Sequence, residues 1–206
     1  MIDHLVYATP DLDAAVEWVA AALGVRPTPG GRHPGLGTCN ALLDLGGGAY
    51  LELIGIDREA AAAPDGPRPF GLDRIAGPRL AGWAAKADGI DQCVARARRF
   101  GYDPGPVQAM SRRRPDGTEL HWRLTSPGPH AVEVLPFLIE WAHEAPHPST
   151  TSARGCRLMT FTGAHPEPDT VAPVLRALGV ELTVEPAAAA ALQAVIEGPG
   201  GTVTLS

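Results

Sequence analysis

Along the chain, apolar and polar positions write one short unit three times: an apolar stretch, a polar break, an amphipathic stretch and a glycine stop. The copies lie at residues 2–25, 81–102 and 156–180. In the first, residues 2–7 (I-D-H-L-V-Y) are rich in β-forming side chains and predict a buried strand. Pro10-Asp11 breaks that strand, and Asp11 or Asp13 can cap a helix. Ala15, Val16, Val19 and Leu23 then recur at helical spacing, and Gly24 ends the helix. A repeated strand–helix unit governs the fold, because paired modules leave a concavity between them.

Strands follow each helix. In the first copy a strand begins at 25–29, the glycine-rich G-G-R-H-P-G-L-G-T forms a loop, and 40–45 is the next strand. Gly46-Gly47-Gly48 permits a tight turn into a strand at 50–56. The second copy predicts a strand at 80–86, a helix capped by Asp91 and running through Arg99, and strands near 107–112, 118–126 and 131–135. The third ends in strands at 192–197 and 202–205 around a G-P-G-G turn. Residues 57–78 and 140–154 lack periodicity and read as linkers. The expected architecture is therefore α+β. Two βαβββ modules, 1–56 and 79–139, pair into a cup-shaped sheet, and a smaller third module spans 155–206.

The copies can be set in register. Asp13 and Asp91 stand 78 residues apart, which sets Gly82 against His4. Gly24 and Gly179 stand 155 apart, which sets Met159 against His4. The closing strands Y-L-E-L-I, A-V-E-V-L and T-V-T-L-S align, so Glu52 matches Glu133 and the third copy has Thr204.

Composition narrows the partners. The chain has 206 residues, 45% of them apolar, enough for a sizeable core. A net charge of -6 and a pI near 5.6 argue against nucleic acid or an anionic membrane surface as partner. Cys39, Cys93 and Cys156 are odd in number and irregularly spaced. They form neither a disulfide framework nor a zinc knuckle, and read as reduced thiols of a cytoplasmic protein. No stretch approaches the roughly 20 apolar residues that span a bilayer, and the N-terminus shows no signal peptide. The glycine-rich loop lacks the Lys-Ser/Thr ending of a phosphate-binding loop, and no G-x-S-x-G nucleophile elbow is present.

Strand–helix–three strands, doubled, resembles the unit of the vicinal oxygen chelate superfamily, and in particular its glyoxalase-like domain proteins. The residues that carry the likeness are I-D-H-L-V-Y at 2–7, G-G-R-H-P-G-L-G-T-C-N at 30–40, Y-L-E-L-I-G at 50–55, S-R at 111–112 and L-P-F-L-I-E-W at 135–141. The resemblance implies a cup in which His or Glu from the first and last strands of each module binds a divalent metal. An open coordination position then accepts a substrate through two neighbouring oxygens. Carried onto this sequence, His4, Glu52 and Glu133 match ligand positions, while the fourth falls on Gly82, which cannot ligate. The implied activity is metal-assisted lyase, isomerase or oxygenase chemistry on a small oxygenated molecule. Gly82 also supports a metal-free protein that binds or sequesters a small molecule in the same cup.

Each candidate residue has a chemical reading and a plainer one. His4, Glu52 and Glu133 make a facial set for Fe(II), Mn(II) or Zn(II), or else a core histidine and two glutamates on solvated sheet faces. His33 is a proton-transfer group or an exposed loop residue. His121 is a pocket donor or a substitute ligand, again with proton transfer as its role. Arg112 clamps a carboxylate or carbonyl with Asn40, or lies on a solvated edge. Trp122, with Trp141 and Phe137, walls an apolar pocket or packs the core. The third module covers the sheet or supports a homodimer.

Overall fold

The computed structural model describes residues 1–33, 35–60, 66–113, 117–126, 134–142 and 146–206. The first unit comprises β1 (Ile2–Ala8), α1 (Leu12–Leu23), β2 (Thr28–His33), β3 (Thr38–Asp44) and β4 (Tyr50–Ile56). The second comprises β5 (Arg79–Lys86), α2 (Ile90–Arg99), β6 (Val107–Arg113), β7 (Glu119–Thr125) and β8 (Phe137–Trp141). After the short α3 (Pro148–Thr151), the third unit comprises β9 (Arg157–His165), α4 (Pro168–Ala177), β10 (Thr183–Pro186), β11 (Ala191–Gly198) and β12 (Gly201–Leu205). The Asp11 side chain caps α1 by accepting from Ala14 N–H at 3.1 Å, and Gly24 closes it at φ 73°.

Eight strands form one curved sheet in the order β2-β3-β4-β1-β5-β8-β7-β6. The halves join where β1 runs antiparallel to β5, with Val6 against Gly82, Leu5 against Trp83 and His4 against Ala84. A two-fold relation through the Leu5–Trp83 pair carries His4 onto Gly82 and Val6 onto Ala84, as the spacing of the sequence copies predicts. Residues on one parity face the cup and those on the other face the helices. Thus Val6, Ala84 and Phe137 belong to the inner cluster, whereas Leu5, Trp83 and Leu138 belong to the outer core.

One expected strand is displaced. β8 begins at Phe137, after the strand expected near 131–135, and Glu133 lies outside the described residues. Pro136 has no N–H to give a ladder, so regular pairing starts beyond it. Val6 pairs with Glu52 and Ala84 with Phe137, so the two-fold relation carries Glu52 onto Phe137 rather than Glu133. The glutamate of β8, Glu140, serves elsewhere: its Oε1 accepts from Gly89 and Ile90 N–H at the start of α2.

The third unit keeps the element order but has its own strand order, β10-β9-β11-β12. Here β9 lies inside its sheet, paired parallel with β10 and antiparallel with β11. Met159 and Thr204 therefore face solvent and not a cup. The unit packs on the convex side of the large sheet. The Phe161 ring meets Trp83 edge-on at 5.4 Å, and Gly200 N–H donates to Leu23 O at 2.8 Å. A Cβ on Gly200 would come within 2.6 Å of Gly24 N, so this backbone contact requires glycine.

Candidate active site

The concave face encloses a cavity of about 280 Å³. Its walls are apolar: Ile54 from β4, Phe137 and Trp141 from β8, Trp122 from β7, and Phe70 from the first linker. Its floor is polar and drawn almost wholly from the first half: His4, His33, Asn40, Tyr50 and Glu52, with Arg112 arriving from β6. Because β4 alternates, Tyr50, Glu52 and Ile54 share the inner face.

One donor sets most of the floor. Arg112 can only donate, and its Nη1 lies 2.9 Å from Asn40 Oδ1, which fixes the amide's orientation. Asn40 Nδ2 then donates to Glu52 Oε1 at 2.5 Å and lies 3.3 Å from His33 Nε2. His33 accordingly accepts on Nε2 and donates from Nδ1 to Thr38 Oγ1 at 2.9 Å. Burial, reinforced by Arg112 and His4 and opposed by Glu52, pushes His33 down to about 4, so the ring is neutral at neutral pH. The arrangement requires Gly30: a Cβ there would lie 2.2 Å from Asn40 Oδ1 and 2.6 Å from Arg112 Nη1.

A second set of bonds holds His4. Its Nδ1 lies 2.8 Å from Asp3 Oδ1, leaving Nε2 facing Glu52 Oε2 at 3.6 Å. Burial works against ionisation of Asp3, but hydrogen bonds from His147 and His4 and their charge hold its carboxyl well below the usual range. Tyr50 stacks on the His4 ring with centroids 4.7 Å apart. Burial, then the Asp3 and Glu52 charges, keeps the Tyr50 hydroxyl well above 10, a phenol at any physiological pH.

Six of the eight predicted site residues meet in this cup: His4, His33, Asn40, Glu52, Arg112 and Trp122. His121 does not. It alternates with Trp122 on β7, so its half-exposed ring lies on the outer side, 3.6 Å from Glu119. The glycine-rich segment is also more regular than expected, since β2 and β3 pair through it and set His33 against Thr38. Three residues of the site escaped sequence reasoning. Tyr50 was accessible from its i, i+2 relation to Glu52. Asp3 was not, because alternation sends a neighbour of His4 to the opposite face. Phe70 sits in an aperiodic linker that gave no signal.

The metal implied by the resemblance can be tested against these donors. The two-fold relation places Gly82 and Phe137 where the second half would contribute ligands. A Cβ on Gly82 would already stand 3.5 Å from the Phe70 ring. Asn40 occupies His33 Nε2 and one oxygen of Glu52, which leaves His4 Nε2 and Glu52 Oε2 as acceptors open to a cation. No group of three or more His, Cys, Asp or Glu among the described residues could hold a metal ion. The described residues do not make the four-ligand set.

Two βαβββ units closed into a cup over a polar floor define a protein of the vicinal oxygen chelate superfamily. Within it, the chain belongs to the glyoxalase-like domain family, which matches residues 2–179. Among solved structures, a hypothetical protein from Staphylococcus aureus is similar over 98% of this chain and 83% of its own, at 14% identity and a TM-score of 0.63. Methylmalonyl-CoA epimerase from Mycobacterium tuberculosis matches over 68% of this chain and 87% of its own, at 26% identity and a TM-score of 0.44. A Streptomyces coelicolor methylmalonyl-CoA epimerase variant in complex with 2-nitronate-propionyl-CoA matches over 71% and 98%, at 26% identity and a TM-score of 0.44. No curated protein matches the sequence. Among the described residues, no helix is long and apolar enough to cross a membrane.

Proposed function

We propose that the cup is the site of a proton-transfer enzyme of the isomerase or lyase kind. Its substrate would be a small molecule with an apolar body and an oxygen-bearing head. One observation carries this reading: two acceptors, His4 Nε2 and Glu52 Oε2, lie 3.6 Å apart at the polar end of an otherwise apolar cavity. A substrate C–H or O–H seated against them would meet two proton acceptors at once. In the proposed step, Glu52 Oε2 takes a proton from carbon beside a carbonyl, and the electron pair moves onto the carbonyl oxygen. The Arg112 charge stabilises that oxyanion, and His4 or Glu52 returns the proton to a neighbouring atom. Tyr50 remains a phenol and can donate to the head group.

The test is carbon–hydrogen exchange in D2O. A panel of 2-hydroxy ketones and 3-oxo acids with alkyl or aryl bodies would be followed by proton NMR. Exchange with at least one member is expected. It should fall about 10²–10⁴-fold in Glu52→Gln, the usual worth of a positioned general base. Binding without exchange, read by quenching of tryptophan fluorescence, would instead assign a metal-free binding or sequestering role. The apolar wall of Phe70, Phe137 and Trp122 favours that second reading. Near-stoichiometric Mn(II), Fe(II), Zn(II) or Ni(II) retained after reloading, and lost in His4→Ala and Glu52→Ala, would restore the metal-assisted route.

A further inference from the structure

His4 owes its chemistry to a residue that should face away from it. The pairing of β1 with β5 shifts register between Ile2 and His4, so Asp3 is the extra residue of a β-bulge. Bulges re-aim a side chain, and here the Asp3 carboxylate reaches the ring of its own neighbour. Asp3 is fully buried, and its other oxygen, Oδ2, lies 3.1 Å from Trp141 Nε1 and 3.0 Å from His147 Nε2. The protonation of His147 follows from the backbone. Ser149 N–H donates to His147 Nδ1 at 3.2 Å, so Nδ1 is an acceptor and Nε2 carries the hydrogen given to Asp3.

We propose that Asp3 is the positioning residue of the cup, holding His4 as the Nδ1–H tautomer with Nε2 bare toward Glu52, and that His147 and Trp141 hold Asp3. His147 thereby ties the linker between the second and third units to the floor of the site. It caps α3 with one ring nitrogen and clamps Asp3 with the other. The part that concerns turnover rests on the proton-transfer reading; the tautomer itself does not.

The two donors at Oδ2 make the substitution Asp3→Asn unusually informative. Trp141 and His147 can only be satisfied if the new carbonyl oxygen takes the Oδ2 place, which turns the amide NH2 toward His4 Nδ1. His4 must then accept on Nδ1 and carry its hydrogen on Nε2, the wrong tautomer for a base at the cup.

Long-range proton–nitrogen NMR of the histidine rings in uniformly labelled protein reads this directly, with His4 assigned by loss of its signals in His4→Gln. The wild-type protein is expected to show His4 as Nδ1–H and His147 as Nε2–H, and Asp3→Asn to move the His4 hydrogen to Nε2. A wild-type His4 carrying its hydrogen on Nε2 overturns the proposal without any variant, so the test survives a variant that does not fold. An unchanged His4 in folded Asp3→Asn overturns it equally. In the D2O assay, Asp3→Asn is expected to lose exchange roughly as Glu52→Gln does. A tautomer switch with exchange absent even from the wild-type protein would leave the positioning geometry standing and remove the proton-transfer reading instead. Exchange lost with no tautomer switch would do the reverse.

Discussion

At the scale of single residues the site is a set of dependencies, and Gly30 shows how tight they are. The Arg112–Asn40 bond passes through the space a side chain would occupy, so Gly30→Ala should destabilise the protein by about 1–3 kcal/mol. It should also weaken ligand quenching of tryptophan fluorescence, whereas Thr28→Ala in the same strand, outside the cavity lining, would not; urea unfolding and titration read the two effects. His33 makes a second prediction, in pH. Its folded value is depressed to about 4 against an ordinary 6.5, so the unfolded chain binds the proton more readily. Stability is therefore fully present above about 6.5 and falls as the pH drops toward 4, by about 3 kcal/mol across the window. Thr38, Asn40, Glu52, Arg112, His4 and Trp122 surround that ring, and only Glu52 favours its charged form. His33→Gln keeps an acceptor for Asn40 and a donor for Thr38. It should flatten the slope in urea unfolding between pH 6.5 and 4 while leaving the loss below about 4, where the unfolded chain takes up the proton that folded Asp3 resists.

Among the elements, the third unit and the linkers carry what the repeat did not predict. The G-P-G-G turn between β11 and β12 seats its backbone on the end of α1, and Gly200→Ala would drive a Cβ to within 2.6 Å of Gly24 N. The expected result is a loss of about 1–3 kcal/mol in urea unfolding, with the cup's ligand response retained in the folded fraction. Helix α1 was legible because capping and apolar spacing are local: Asp11, Gly24 and the Val16/Val19/Leu23 stripe all do what their types require. In α2 the expected cap, Asp91, lies inside the first turn, and Gly89 is the N-cap with Glu140 from β8 accepting its N–H, a partner the local sequence does not show. Inner and outer faces of β1 and β4 were legible for the same reason. β8 was not, because two strands in sequence, A-V-E-V-L and F-L-I-E-W, offer competing glutamates. The choice is made by pairing with β5, a contact with residues more than fifty positions away. The bulge at Asp3 is a further non-local event, visible only once β1 and β5 are side by side. His121 failed on parity alone, since one position along β7 separates the pocket from solvent.

For the molecule as a whole, the two-fold relation between its halves explains why the cup is polar on one side and apolar on the other. Each half offers two inward places nearest the join. The first half fills them with His4 and Glu52, the second with Gly82 and Phe137. Phe70 from the linker lies over the vacated glycine, in a left-handed backbone conformation at φ 58° that costs a non-glycine residue of order 1–3 kcal/mol. That cost is met by the packing of its ring against Phe137, with centroids 5.9 Å apart, inside the cavity wall. The asymmetry is thus built into three separate segments, β5, β8 and the first linker, rather than into one lost ligand. It follows that the missing half-site can be rebuilt. Gly82 does not have the positive φ that would bar a side chain, and Phe70→Ala clears the space in front of it. The triple change Gly82→His, Phe137→Glu, Phe70→Ala sets a histidine and a carboxylate opposite His4 and Glu52, giving four donors of the kind that hold Zn(II) or Mn(II). Elemental mass spectrometry after loading is expected to find about one metal per chain in the triple variant, and to lose it again on adding Glu52→Ala. Equal retention by the wild-type chain would show that the first half suffices to hold the ion without a second pair of ligands.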